Sequence, residues 1–387
     1  MDDASLSSLL RELVAAESVN PAYPPPASGE GPAVAIAEAA CRRLGLDVER
    51  QEVLPGRDNL IARLDVAGAT RTILFEAHTD TVSLDAMAAR TLDPVVKDGR
   101  LYGRGACDDK ASVAAMIGAL EFLVERRREL RVSICFLAAA DEEYQFRGVL
   151  KYLERHEPVA AGVVGEPTSL RLVLAHKGVV RFRVTTRGVA AHSSEPDRGH
   201  NAIEDMASVV SLLSATARRL KLRSHPLLGS PTMSIGRIEG GTGVNIVPDR
   251  CVIEIDRRFI PGETAEDALR EVDHALAAVA DQPGVRVERE APFLVSPPLD
   301  TAETSDIARS ARRTLAKHGL PTEPVGMAGG TDASKLWSLR RIPSIVLGPG
   351  AGRLAHGDDE HVELAEVALG ARIYADLALD YSRQTTG

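Results

Sequence analysis

Four short apolar runs in this chain end in imidazole or carboxylate side chains, and that repetition constrains the fold more than any other feature. Thr72, Ile73, Leu74 and Phe75 read as a buried, partly β-branched strand that leads through Glu76-Ala77 to His78 and Asp80. Residues 132–140 run into Asp141-Glu142-Glu143, residues 159–164 into Gly165-Glu166-Pro167, and residues 344–347 are followed by His356. In open α/β sheets, ligands bind just outside the carboxyl ends of the strands. Strands that each deliver His, Asp or Glu to that edge would assemble a site there. The mixed nitrogen and oxygen set points to metal chemistry, and to a hydrolase with a two-metal site.

At 387 residues the chain exceeds one ordinary core, so two domains are expected. A net charge of −9 argues against nucleic acid or an anionic membrane as the main partner. It says little about substrate, because an acidic protein can carry a local cationic pocket. No apolar run approaches the length of a membrane span. The opening Met1-Asp2-Asp3-Ala4-Ser5 is acidic and lacks the basic-then-apolar pattern of a signal peptide. Cys41, Cys107, Cys135 and Cys251 stand far apart without a Cys-x-x-Cys pair, which reads as reduced core thiols. A cytoplasmic location is the expectation that follows.

Leu6, Leu9, Leu10, Leu13 and Val14 have helical spacing, so residues 5–16 predict a first amphipathic helix. Residues 21–32 are rich in Pro, Gly and Ser and read as a loop. A second helix follows from about Ala33 and stops at Gly45, and residues 59–64 and 71–78 predict strands. The glycine-punctuated turn over residues 101–110 leads into a long helix with Val113, Met116, Ile117, Leu120 and Val124 as its buried stripe. Asp108 would sit at its start, where the helix dipole favours a carboxylate, and an ordinary acidic cap explains Asp108 and Asp109 equally well.

After Glu166 the pattern changes. Val180, Phe182 and Val184 alternate with Arg181, Arg183 and Thr185, as in a strand with one wet face. A helix over residues 201–220 and strands over 232–239 and 251–259 follow. A helix starting near Thr264, with Asp267 as its capping partner, then precedes a strand over 285–290. The order βαββαβ is that of a ferredoxin-like unit. The expected architecture is therefore a mixed-sheet α/β domain, residues 1–176 and 291–387, interrupted by an inserted ferredoxin-like domain, residues 177–290. The returning segment carries a helix near 303–318, the turn Gly329-Gly330-Thr331-Asp332, a strand over 344–347 and a last helix near 360–381.

Two divalent metals need a bridging carboxylate, His and carboxylate ligands at each end, and a water between them. The chain offers His78, Asp108, Glu143, Glu166 and His356, a set suited to two zinc ions with cobalt or manganese as substitutes. Glu142 is placed to serve as general base, and Asp80 could hold the other nitrogen of His78. Blander readings stand beside these. Asp141-Glu142-Glu143 could be a solvated turn; His156, His225, His274 and His318 read as ordinary surface or core histidines; and His361 reads as a surface residue of the last helix's first turn. A metal-free glycosidase would use Glu142 and Glu143 but leave His78 and His356 idle. A non-catalytic binding protein should lack the base or a ligand, and neither is missing.

The segments His78-Thr79-Asp80-Thr81-Val82, residues 103–110, Asp141-Glu142-Glu143, Gly165-Glu166-Pro167-Thr168 and Ala355-His356 with Glu360 following resemble the M20 metallopeptidases. That family includes acetylornithine deacetylases, succinyl-diaminopimelate desuccinylases and glutamate carboxypeptidases. The resemblance implies that His78 and Glu166 hold one metal, Glu143 and His356 the other, that Asp108 bridges, and that Glu142 is the base. It implies that His192, in Ala191-His192-Ser193-Ser194, stabilises an oxyanion across a homodimer formed through the inserted domain. Asn245, in residues 240–245, and Arg258, third in Asp256-Arg257-Arg258, match a segment that recognises the substrate carboxylate. Arg257 is expected to face solvent. Gly330 belongs to a loop resembling the one that closes around the substrate backbone. Ala77 where glycine is usual, Asp109 where Met is frequent, and Tyr144-Gln145 where glycine is common depart from the pattern without removing a ligand or the base. Residues 175–178 and 346–350 look closest to acetylornithine deacetylases. A small N-acyl amino acid is the first expected substrate, succinyl-diaminopimelate the second, and a di- or tripeptide the third.

Overall fold

A computed structural model describes residues 2–23, 27–84 and 92–384. The loop expected over residues 21–32 lies partly, at residues 24–26, outside them. The chain divides into two compact units: Met1–Leu174 with Thr301–Val325 and Thr331–Gly387, and Ala175–Asp300 with Gly326–Gly330.

In the first unit, strand Thr72–His78 lies parallel between Ser133–Ala139 and Val159–Val164, and Ser344–Val346 extends the parallel set beside Val159–Val164. Arg57–Leu64 runs antiparallel to Ser133–Ala139, and Asp47–Leu54 forms a hairpin with it. The sheet is therefore mixed, and its four parallel strands open their carboxyl ends on one edge. Strand Asp47–Leu54 escapes the sequence reading because Glu49, Arg50, Gln51 and Glu52 leave it no apolar alternation; its ladder to the neighbouring strand forms it.

Ile73 and Phe75 join the core beneath a helical layer made of Asp3–Ala15, Gly31–Arg43, Lys110–Glu125 and Leu364–Arg383. Leu10 and Leu13, wholly buried there, each contribute about 1.5–3 kcal/mol by leaving water. Helix Lys110–Glu125 is buried without a break from Lys110 to Leu120, far more than the predicted stripe, and Val124 is only half-buried. It packs against both Asp3–Ala15 and Leu364–Arg383, so solvent reaches little of it. Small residues allow that approach: a Cβ on Gly118 would lie 3.1 Å from Leu6 Cδ1 and 3.2 Å from Ala371 Cβ.

The last helix starts at Leu364 rather than residue 360, because His361–Glu363 pairs as a strand with Arg100–Tyr102. His361 is thus a strand residue with its ring 4.7 Å from that of Tyr102, not a first-turn surface residue.

The second unit has the expected βαββαβ order. Its sheet runs Thr232–Gly240, Arg250–Phe259, Gly178–Arg187, Arg286–Arg289, with every neighbouring pair antiparallel. Leu294–Ser296 also pairs with Gly178–Arg187. Val180, Phe182, Val184, Ile253 and Ile255 pack with Met206, Val209, Leu213, Val272 and Leu276 of helices Ala202–Leu220 and Ala265–Ala280. Both helices begin on local signals. Asn201 accepts from the N–H groups of Ile203 and Glu204, and Thr264 and Asp267 form a reciprocal capping box. Arg257 corrects the expectation of a solvent-facing side chain. Strand alternation puts it on the face of Ile255 and Phe259, where it is 1% exposed and its guanidinium pairs with Glu271 at 3.0 Å and Glu263 at 3.6 Å.

All four cysteines are free and buried. Among the described residues, no helix is long and apolar enough to cross a membrane.

Candidate metal centre

His78 is the last residue of strand Thr72–His78 and is nearly inaccessible. Its Nδ1 lies 3.0 Å from the carbonyl oxygen of Asp80. A carbonyl only accepts, so Nδ1 carries a proton, and Nε2 is left to face the acids of the site. That Nε2 lies 3.0 Å from Asp108 Oδ1. The other carboxylate oxygen, Oδ2, lies 3.2 Å from His356 Nε2, which is also 3.0 Å from Glu143 Oε1. Single ligand atoms of His78, Asp108 and Glu143 all fall within 4.8 Å of one another. These atoms could hold a metal ion.

Each residue arrives by a different backbone route. Asp108 stands in the turn before helix Lys110–Glu125, not as its cap: Asp109 occupies the cap position and its side chain makes no capping bond. The loop is held by Glu360, whose Oε1 accepts the N–H groups of Cys107 at 3.0 Å and Asp108 at 3.1 Å while Oε2 pairs with Arg104 Nη1 at 2.5 Å. His356 adopts a left-handed φ of 63° in the turn after the 3-10 segment Gly352–Leu354. Asp141, after strand Ser133–Ala139, is also left-handed at φ 65°, and this bend aims Glu142 and Glu143.

Asp80 was expected to hold the imidazole of His78 with its carboxylate. It does so with its backbone carbonyl, and Asp80 Oδ1 is 3.6 Å from Nδ1. The carboxylate instead accepts the N–H of Glu142 at 3.0 Å, that of Glu143 at 3.2 Å, and Asn20 Nδ2 at 2.8 Å. It therefore ties one strand end to the next.

The site is crowded with buried acids. Burial alone would raise Asp108, but hydrogen bonds with His356 and His78 outweigh it and hold the carboxyl well below the usual range. Hydrogen bonds to Asp108 and then to Glu143 raise His356 to about 10. Burial pushes Glu142 well above the ordinary carboxylate range; His78 opposes this, and Asp332 and Glu143 add to it. Glu166, after strand Val159–Val164, stands outside the 4.8 Å group but is buried in the same region; burial, then Glu142 and Asp108, push its carboxyl well up. Lys335 is a buried cation near these acids. It lies 3.0 Å from the centre of the Phe146 ring, donates to the Thr331 carbonyl at 3.1 Å, and is brought down to about 8 by burial.

The remaining expected residues belong to the second unit. His192 is exposed, with Nδ1 2.7 Å from Ser194 Oγ, and is bridged to Ile246 beside exposed Asn245, whose carbonyl accepts the Ser193 N–H at 3.0 Å. Arg258 gives two hydrogen bonds to Asp256, at 2.7 and 3.2 Å. Gly330 packs beside Ser296 and His176.

Sequence reasoning missed the supports. Asn20, Tyr23, Glu30 and Arg57 carry no local signature; Arg104 and Glu360 were visible, each as part of a motif.

Residues 74–380 match the pattern of peptidase family M20/M25/M40. The acetylornithine deacetylase of Pectobacterium atrosepticum is 34% identical over 334 residues, 83% of each chain. That of Proteus mirabilis is 34% identical over 333 residues, covering 83% of this chain and 82% of its own. Among solved structures, a tripeptidase from Staphylococcus aureus superposes with a TM-score of 0.82 at 23% identity, covering 99% of this chain and 100% of its own. A dinuclear metal binding peptidase of the M20 family from Bacillus subtilis covers 98% of each chain with a TM-score of 0.75 at 18% identity. The structural likenesses establish the fold; the pattern match and the curated relatives, spanning most of the chain, establish that this protein belongs to peptidase family M20/M25/M40.

Proposed function

We infer that the protein hydrolyses the amide bond of a small N-acyl amino acid at a two-metal centre. The supporting observation is Asp108, whose two carboxylate oxygens face different imidazoles, His78 at 3.0 Å and His356 at 3.2 Å. A carboxylate offering one oxygen to each of two histidine-bearing positions is what a bridge between two cations requires. His78 and Glu166 would hold one, Glu143 and His356 the other. Imidazole and carboxylate donors without thiolate suit zinc and accept cobalt or manganese. When bound, such ions polarise a carbonyl and lower the pKa of a water.

Glu142 acts as the base. Its raised proton affinity suits it to take a proton from water and pass it to the leaving nitrogen. Asp80 keeps Glu142 and Glu143 in register through their N–H groups. His192 and Asn245 stabilise the developing oxyanion and the substrate, His192 acting across a homodimer, and the backbone of Gly330 lies along the substrate. Arg258 recognises the substrate carboxylate; Asp256 takes hydrogen bonds from its Nε and Nη2, and the other N–H groups of the guanidinium serve that carboxylate. The curated relatives named acetylornithine deacetylase favour an N-acyl amino acid over succinyl-diaminopimelate or a short peptide.

The test is amine release after chelator treatment and restoration of zinc, cobalt or manganese, on N-acetylornithine, other N-acyl amino acids, succinyl-diaminopimelate and dipeptides. Metal-dependent turnover of N-acyl amino acids is expected. Turnover that survives complete removal of metal would overturn the two-metal reading, and preference for dipeptides would overturn the substrate.

A further inference from the structure

We propose that the segment over residues 16–23 is a positioning strap for the metal centre, with Asn20 as the residue that sets the base-bearing turn. The proposal rests on the two-metal reading above. The segment lies alongside the end of the first metal strand: Thr81 N–H donates to the Ser18 carbonyl at 3.0 Å, Asn20 N–H to the Thr81 carbonyl at 2.9 Å, and Val19 forms a parallel bridge with Thr81. Asn20 is completely buried. Its amide nitrogen donates one hydrogen to Asp80 Oδ2 at 2.8 Å and the other to Asp141 Oδ1 at 2.9 Å, and its oxygen accepts the Ala22 N–H at 3.1 Å. Every polar atom of the side chain is used, and a primary amide is suited to join two carboxylates without adding charge.

Both carboxylates it joins control the turn that carries Glu142 and Glu143. Asp80 accepts the N–H groups of those two residues. Asp141 holds a left-handed φ of 65°, kept there by Asn20, by Arg57 at 3.0 Å and Arg147 at 2.6 Å on its carboxylate, and by Glu30, which accepts its N–H at 3.0 Å. Tyr23 adds a third hold from the same segment, its hydroxyl donating to the Glu143 carbonyl at 3.0 Å. At the other end, Lys110, in the helix that follows Asp108, donates to the Ala16 carbonyl at 2.8 Å. The strap is therefore anchored to the His78 strand, the Asp108 helix and the Glu142–Glu143 turn. Rotation of a peptide in that turn would move the base and one ligand relative to His78 and Asp108, and displacements near 1 Å cost catalysis heavily.

The experiment compares the wild type with Asn20→Ala and Tyr23→Phe, following thermal unfolding, metal affinity in competition with a chromophoric chelator, the visible spectrum of bound cobalt, and kcat and KM. In Asn20→Ala, metal affinity should fall by about 10–100-fold, the scale of losing a partner that orients ligands. The cobalt bands should shift, and kcat should fall with KM little changed. Tyr23→Phe removes one peripheral hydroxyl and should show a smaller loss of kcat with an unchanged unfolding midpoint; it carries the test if Asn20→Ala does not fold. Wild-type cobalt spectrum, metal affinity and kcat in a folded variant would overturn the proposal and leave the two-metal reading intact. A wild type that takes up no cobalt would overturn both.

Discussion

Replacing Glu360 with Ala should weaken the first unit more than most single changes, because three buried donors depend on that carboxylate. Glu360 is 0% exposed and Arg104, its partner at 2.5 Å, is 2% exposed. Removing one side of a buried ion pair costs about 3–5 kcal/mol, because the other charge remains buried without compensation. The N–H groups of Cys107 and Asp108 would also lose their acceptor, and each buried orphan adds about 1–3 kcal/mol. A water admitted where the carboxylate stood can satisfy one of them. The net loss should be about 4–8 kcal/mol, and in a unit of this size each kcal/mol lowers the melting temperature by about 2–4 °C. Glu360→Gln keeps one acceptor oxygen and should lose roughly half as much. Calorimetry on metal-stripped protein measures this directly, and a second measurement of metal affinity should show a loss, since Asp108 is held by one of the orphaned groups. A Glu360→Ala protein within about 0.5 kcal/mol of wild type, the scale of an ordinary surface change, would refute the reasoning.

Glu142→Gln should lower kcat by about 10²–10⁴-fold while bound metal is retained, read by turnover and metal content together. Gly348→Ala should destabilise by about 1–3 kcal/mol and disturb metal binding, because its Cβ would lie 2.5 Å from the Glu166 carbonyl oxygen and 2.7 Å from Ser112 Oγ; denaturant unfolding and metal titration check it. Asp256 tests pH linkage in the second unit. Burial opposes ionisation there, but hydrogen bonds from Arg258 and Arg181 hold the carboxyl below its ordinary value. A folded value below the unfolded one gives stability that is present above about pH 4 and lost as pH falls through the folded value. Asp256→Asn should therefore be less stable than wild type at neutral pH by about 0.5–1 kcal/mol, with solvent screening limiting the size, and the gap should close in acid.

Much of the fold was legible because it rests on short-range signals. The apolar runs that end at His78, Asp141 and Glu166 predict strands, and three of them lie parallel side by side with their carboxyl ends together. Thr264 and Asp267, three residues apart, start a helix by bonding each other's backbone. Where periodicity was weak or ambiguous the reading faltered. Arg257 shares strand parity with Ile255 and Phe259, yet its charge suggested solvent, and only Glu271 and Glu263, brought in by chain beyond the strand, make its burial affordable. His361 looked helical until Arg100–Tyr102 claimed it as a strand partner.

The sequence by itself determined where most strands and helices form and which side chains of chemical interest stand at strand ends, because hydrophobic period, capping and turn residues act over a few positions. The tertiary structure alone decided how those side chains are held. Asn20 meets Asp80 and Asp141 across separations of 60 and 121 residues, and Glu360 reaches the Asp108 backbone across 252. A hydrogen bond of that kind leaves no periodic trace, because its partners become neighbours only when the sheet and its helices have closed around them.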